Sequence, residues 1–250
     1  MGFILIYYFI YRYNYKMWWT MIKNKDIVVL NLILKDNDSK DLLDTTLPEI
    51  AKENNLNIKA EYKPLTYIFG TGELLKGVEE NIKNLKEEES KTFVLKKEQA
   101  FGDRDQKKIE VLHLSDFKNE KINPEPGLYI NIGHRSGKII SVSGGRVKVD
   151  FNPIFAGRDL EYTVIINKII SKDDEKISPL LNKVFHFIPQ NQMKYIINSN
   201  SKEVEIQLPL GIPKEVDYLK QVLAKMIIDT TTYDVVKYCQ NFYRNEKKGE

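Results

Sequence analysis

Few residues in this chain of 250 have types and spacing that suggest chemistry. The stretch "YIFGTGELLKGVEENI" (67–82) passes from large residues through Gly70 and Gly72 into a segment whose Leu74, Leu75, Val78 and Ile82 share one helical face. A Gly-x-Gly ahead of a helix can cradle a phosphate, because glycine lets backbone N–H groups approach an anion. It can equally frame an apolar cradle floored by the helix start. Glu73 and Glu79 follow the glycines, no Lys-Ser/Thr pair comes after Gly72, and no acidic partner for a ribose is recognisable. Nucleotide binding is therefore disfavoured. In "LLDTT" (42–46), Asp44 either faces a pocket or closes an Asx-turn or helix cap. Cys239 is the single cysteine, and His113, His134 and His186 are widely spaced, so neither a disulfide framework nor a metal-ligand pattern can be read. Neither a metal nor another cofactor is expected.

Composition points to a globular protein, with 42% apolar and 29% charged residues. A net charge of +3, with Lys and Glu interspersed, gives no concentrated basic face, which argues against a nucleic-acid partner. One thiol fits a reducing compartment, and a cytoplasmic location is expected. The first twenty residues, "GFILIYYFIYRYNYKMWW" among them, stand apart. Their apolar run from Phe3 to Tyr11 is far shorter than the ~20 residues of a spanning helix, and the pattern of a signal peptide is absent. Three readings stay open: a start codon placed too early, with Met21 the true beginning; an interfacial anchor; or a packed strand. A membrane partner is expected only if this segment belongs to the protein.

Elements that would position these residues follow from periodicity and punctuation. "DIVVLNLIL", "PLTYIF", "SKTFVLKKEQAFG" and "DLEYTVIINKII" read as strands, and 73–85 as a helix. "LLDTTLPEIAKENNL" opens as a loop in which Thr45 or Thr46 caps a short helix with Pro48 in its first turn. Between 103 and 150 come short β-runs, a "NPEPG" turn and a Gly144-Gly145 hairpin signal, which suggest a small all-β insertion. Beyond "SKDDEK", a helix over 177–188, a strand over 202–210, a helix over 213–227 and a strand over 234–243 suggest a separate small α+β domain.

The order of strand, "DTT" loop, "Y-x-P-L" strand, "G-x-G-E-L-L-x-G-x-E-E" helix, "A-F-G-D-R-D" loop and "V-D-F-N-P-x-x-A-G-x-x-L-x-Y" segment resembles the FKBP-type peptidyl-prolyl cis-trans isomerases, in their SlyD-like, archaeal long form. The likeness runs over about residues 24–170, and more loosely over 174–250. It implies an α+β fold: a half-barrel of antiparallel sheet wrapped on a short helix, an all-β insert-in-flap domain, and a small α+β C-terminal domain. The divisions expected are 1–20 as an extension, 21–102 with 151–172 as the half-barrel, 103–150 as the insert, and 174–250 as the C-terminal domain.

The resemblance further implies a site. Asp44 matches the family's pocket acid, Leu75 the backbone N–H donor, Phe101 a position where Tyr is common, and Tyr162 the aromatic of the last strand. Leu32, Leu43, Leu65, Leu74 and Val78 would line the substrate hollow, with Leu32, Leu43 and Val78 replacing common aromatics. These departures imply a weaker isomerase, or a degenerate one that only binds. Leu128, Tyr129, Ile130 and Ile132 would face unfolded or proline-containing clients, unless they form the insert's own core. The family's C-terminal domain suggests a homodimer. The tail "NEKKGE" lacks the histidine tract with which SlyD proteins bind metal.

Overall fold

The structure, a computed structural model, describes residues 21–57, 60–119, 122–212 and 216–240. Expectations about residues 1–20, and the last residues of the strand expected over 234–243, lie outside the described residues.

The chain runs β1 (Ile27–Asp36), β2 (Leu42–Thr45), α1 (Pro48–Glu53), β3 (Leu65–Ile68), α2 (Lys76–Ile82) and β4 (Ser90–Leu95). The middle segment holds β5 (Ile109–His113), α3 (Leu114–Asn119), β6 (Tyr129–Ile132), β7 (Arg135–Ser143) and β8 (Arg146–Asp150). Then come β9 (Leu160–Ile170), α4 (Asp173–Val184), β10 (Lys194–Asn198), β11 (Glu203–Gln207), α5 (Asp217–Thr230) and β12 (Val235–Cys239).

Three sheets result. The first is antiparallel, in the order β2-β1-β9-β4, with β3 pairing the other end of β1. Residues alternate between the faces of a strand, and along β9 Leu160, Tyr162, Val164 and Ile166 are buried on one face. That face packs on α2 through Val78 and Ile82. The strand ends behave differently. Ile27, Ile68 and Ile170 join a core with Ile177, Leu180 and Phe185 of the C-terminal unit, while their neighbours Val28, Tyr67 and Ile169 join the α2 core. Here the sheet is covered on both faces, which explains the unbroken apolar runs "DIVVL" and "II" at 169–170. Each buried Ile or Leu stabilises by about 1.5–3 kcal/mol relative to exposure.

The second sheet, β5-β8-β7-β6, is antiparallel and encloses its own core of Phe117, Ile130, Ile139, Val147 and Val149. The Gly144-Gly145 turn has φ of +56° and +75°, the left-handed pair that a tight hairpin needs and that glycine adopts without steric cost. The segment is not purely β: α3 carries Phe117 over the sheet, because four short strands alone leave the core of so small a unit uncovered. The third sheet pairs β10 with β11 antiparallel and β11 with β12 in parallel, with α5 as the crossover.

Several local expectations are corrected. "LLDT" is a strand, and neither threonine caps α1, whose N-cap is Leu47 without a side-chain bond. Thr45 Oγ1 instead donates to the Leu32 carbonyl, and Thr46 Oγ1 accepts from the Leu32 N–H while donating to Asn31 Oδ1. The hydroxyls thus stitch β1 to the end of β2. The helix expected from 73 begins at Lys76, and the one expected from 177 begins at Asp173, where Asp173, Asp174 and Glu175 favour a helix N-terminus. Strand β10 was not expected. Its burial alternation is weak because most of it is exposed.

Candidate active site

The first sheet sets one row of side chains across its concave face. Asp44 pairs with Leu34, Leu34 with Tyr162, and Tyr162 with Phe93. Paired residues of an antiparallel ladder point the same way, and the Phe93 and Tyr162 rings stack at 5.8 Å. Above this row lies a hollow of about 330 Å³. Leu30, Leu32 and Leu34 of β1 and Tyr162 and Val164 of β9 form its back, and Val78 from the first turn of α2 its floor. Phe101 and Phe155 close one side, edge to face at 5.5 Å. The loop Gly72, Glu73, Leu74 and Leu75 forms the lip, and the exposed Asp44 also borders the hollow.

Local chemistry holds these parts in place. Tyr67 is fully buried beneath α2, donates its hydroxyl to Glu79 Oε1 and accepts from the Gly70 N–H, so the helix is latched to β3. Burial, reinforced by the Glu79 carboxylate, drives the Tyr67 pKa well above the usual phenol range. Gly70 sits at φ +85°, and a Cβ there would lie 1.9 Å from Asn24 Oδ1. The Leu75 N–H precedes the helix, and among the described residues no acceptor takes it. It is one of the orphan donors of a helix start. Asp44 is exposed, and among the described residues its carboxylate accepts only the adjacent Thr45 N–H, at 2.8 Å. Burial and the Asp44 charge push the Tyr162 hydroxyl up to about 12.

Asp44, Leu75, Phe101, Tyr162, Leu32, Leu74 and Val78 therefore converge on one hollow. Leu43 and Leu65 do not line it. Leu43 is left without a partner where the β1–β2 register shifts between Leu34 and Lys35, and Leu65 pairs with Leu30 at the other end of β1; both are half-buried against the same core. Phe155 was missed, although it lies in the quoted "V-D-F-N-P-x-x-A-G" segment. An aromatic two residues after Pro153 was the available signal. Leu30, Leu34, Val164 and Glu73 were missed as well. The first three lie in runs that read only as strands, which does not show where a core opens.

The insert faces of the two predicted pairs differ. Leu128 and Tyr129 are 42% and 54% exposed, but Ile130 is 5% exposed and Ile132 is half-buried against the insert core. Ile130 belongs to the small unit's own core and offers no client face. A cleft of about 510 Å³ lies between insert and half-barrel, bordered by Tyr129, Ile154 and four cations, Arg104, Lys108, Lys138 and Arg158. Arg104 is paired with Asp150, and Arg158 with Asp36 at 2.9 Å. Burial works to raise the Asp150 pKa, but hydrogen bonds from Asn152 and the Arg104 charge outweigh it and hold the carboxyl below its usual range. Among the described residues no group of His, Cys, Asp and Glu could hold a metal ion, and no helix is long and apolar enough to cross a membrane.

A family profile described as "FKBP26, IF domain" matches residues 110–153, the span of the second sheet and its exit. Over 156 residues the chain is 33% identical to the "Short-type peptidyl-prolyl cis-trans isomerase" of Methanocaldococcus jannaschii, a match covering 62% of this chain and 98% of that protein.

Proposed function

Since the chain belongs to the FKBP-type peptidyl-prolyl cis-trans isomerases, we propose that its reaction, rotation about X–Pro bonds, takes place in the hollow between Tyr162, Val78 and the Leu74–Leu75 lip. The planar amide resists rotation by about 18–20 kcal/mol. That barrier is loss of resonance, so no nucleophile or cofactor is required; whatever favours the twisted amide over the planar one accelerates the step. The planar amide is the more charge-separated form. Apolar walls such as Leu32, Val78, Phe101 and Phe155 disfavour it relative to the twisted form, whose carbonyl is more ketone-like. The free Leu75 N–H receives a substrate carbonyl and fixes the segment as the prolyl ring enters. Asp44 faces the rotating carbonyl–nitrogen unit from the border of the hollow. Phe101 offers no hydroxyl to a substrate carbonyl, and the absence of one such bond costs about 0.5–1.5 kcal/mol. The turnover is accordingly modest.

The observation that carries this reading is an apolar hollow lined by the exposed Asp44 carboxylate and by Leu75, whose N–H no acceptor among the described residues claims. A protease-coupled assay on an X–Pro peptide tests it. Wild type should exceed the uncatalysed rate, an FKBP-site macrolide should abolish the excess, and Asp44→Ala should lower kcat/KM by about threefold to tenfold. A folded protein with no rate above background would refute it.

A second role in the cytoplasm, holding unfolded or proline-containing clients, is favoured by one observation: Leu128 and Tyr129 stand exposed at the edge strand β6. An open strand edge and exposed apolar side chains suit an extended chain. The insert would then hold a segment while the hollow samples its prolines.

A further inference from the structure

We propose that Lys183 of the C-terminal unit is a positioning residue for the prolyl site, pinning the lip that carries Leu74 and Leu75. This inference rests on the assignment of the hollow as the site of isomerisation. It starts from how little else holds the lip. Among the described residues, the backbone N–H and carbonyl groups of Gly72, Glu73 and Leu74 make no backbone hydrogen bond. Thr71 bonds back to Ile68, before the lip, and helix bonding resumes only with the Leu75 carbonyl. Gly72 itself has φ +75° and open space where a side chain would stand, and beyond the exposed Glu73 only the half-buried Leu74 and Leu75 side chains pack the lip against the α2 core. A segment with so few tethers would be expected to move on its own.

Glu73 supplies the cross-link. Its Oε2 accepts from Lys183 Nζ at 2.8 Å, and the same ammonium donates to the Thr66 carbonyl at 2.7 Å. Lys183 sits in the last turn of α4, and Thr66 lies in β3 at the sheet's edge. One ammonium thus ties three elements: the C-terminal helix, the edge strand beneath the hollow, and the lip above it. The Lys183 and Glu73 side chains are 24% and 34% exposed, so water reaches the ion pair, and the Thr66 carbonyl gives the ammonium its second anchor. Glu73 lines the hollow, whereas Lys183 does not. The lysine acts on substrate through Glu73 and the lip, and touches no reacting atom. The helix beneath is anchored independently, since Leu180, Leu181 and Val184 bury themselves in the core shared with Ile27 and Ile68. A rigid body of the C-terminal unit therefore reaches the rim of the half-barrel's hollow, and the lip's geometry depends on that contact.

The full chain carrying Lys183→Met, Lys183→Arg, or Lys183→Met with Glu73→Gln tests this. Methionine keeps the apolar stem and removes the charge. Expected is a loss of about threefold to tenfold in kcat/KM on an X–Pro peptide for Lys183→Met, seen mainly as a higher KM, because the lip's N–H binds ground and transition states alike. Arginine, whose guanidinium can bridge both acceptors, should restore it to within about twofold. Adding Glu73→Gln to Lys183→Met should cost nothing further, since the two act as one unit. Backbone 15N order parameters of Glu73 to Leu75 should fall from about 0.85 to below about 0.6 in Lys183→Met. Unchanged kinetics and order parameters, no rescue by arginine, or fully additive losses would overturn the proposal. If wild type turns over no peptide, the isomerase assignment fails, while the order parameters still decide whether Lys183 holds the lip.

Discussion

The hollow and the cleft beside the insert are built partly from the same segment and are chemically opposed. Phe155 closes the hollow against Phe101, while Asp150, Phe151 and Asn152, a few residues earlier, border the cleft. The hollow is walled by leucines, valines and aromatic rings, with carboxylates only at its margins. The cleft is rimmed by four cations, and Ile154 beside it is 55% exposed. Amide rotation gains from excluding water, because it requires the less polar amide to be favoured. Holding a chain in transit gains from a wet, charged border and exposed apolar contacts that release easily. On the proposed reading the two demands fall to different parts of the chain, the insert having a core of its own.

That separation can be broken most severely at Phe117, which is fully buried in the insert. Phe117→Ala should cost about 3–5 kcal/mol, more than a unit of this size can spare. Suppression of client aggregation should fall to background, while kcat/KM on a short X–Pro peptide stays within about twofold. Loss of peptide turnover would show that the hollow depends on the insert's fold. A sharper probe of the hollow is Phe101→Tyr. A hydroxyl offered to a substrate carbonyl should raise kcat/KM by about threefold to tenfold without altering client holding. No gain would mean that the ring's far edge does not face the carbonyl.

The smallest effect concerns how dry the hollow is. The Tyr162 hydroxyl is pushed up to about 12 by burial and by Asp44, against an ordinary phenol value of 10.0. Between those values the unfolded chain has already lost a proton that the folded chain keeps. This contribution to stability is complete below pH ~10 and disappears as pH rises through the folded-state value. Denaturation midpoints measured from pH 9 upward, on the order of half a unit apart, should decline less steeply in Tyr162→Phe than in wild type. Equal slopes would indicate a wetter wall than the packing implies.

Much of this was legible in residue order. Gly70 and Gly72 followed by Leu74, Leu75 and Val78 indicated a cradle and not a phosphate loop, and the motifs around Asp44, Phe101 and Tyr162 indicated which strands and loops would supply it. Other features were not. "LLDTT" reads as a loop because its threonine hydroxyls suit turns, yet in the fold they bond across to Leu32 and Asn31, partners more than ten residues away. Ile130 and Tyr129 are adjacent and both suit a strand; which one faces solvent depends on where α3 lays Phe117. Leu43 does not line the hollow because it is the residue left over where the β1–β2 register shifts, an irregularity that no periodicity announces.

Local pattern pointed to the kind of chemistry available: an apolar cradle at a helix start, assembled from strands rich in apolar residues. Tertiary structure alone decided where that core opens, which N–H stays unclaimed at its rim, and that Lys183, 110 positions along the chain from Glu73, closes on the lip. Periodicity records which face a residue takes within its own element. It carries no information about which distant element will cover that face, because that is settled by packing among segments that the order of residues does not place side by side.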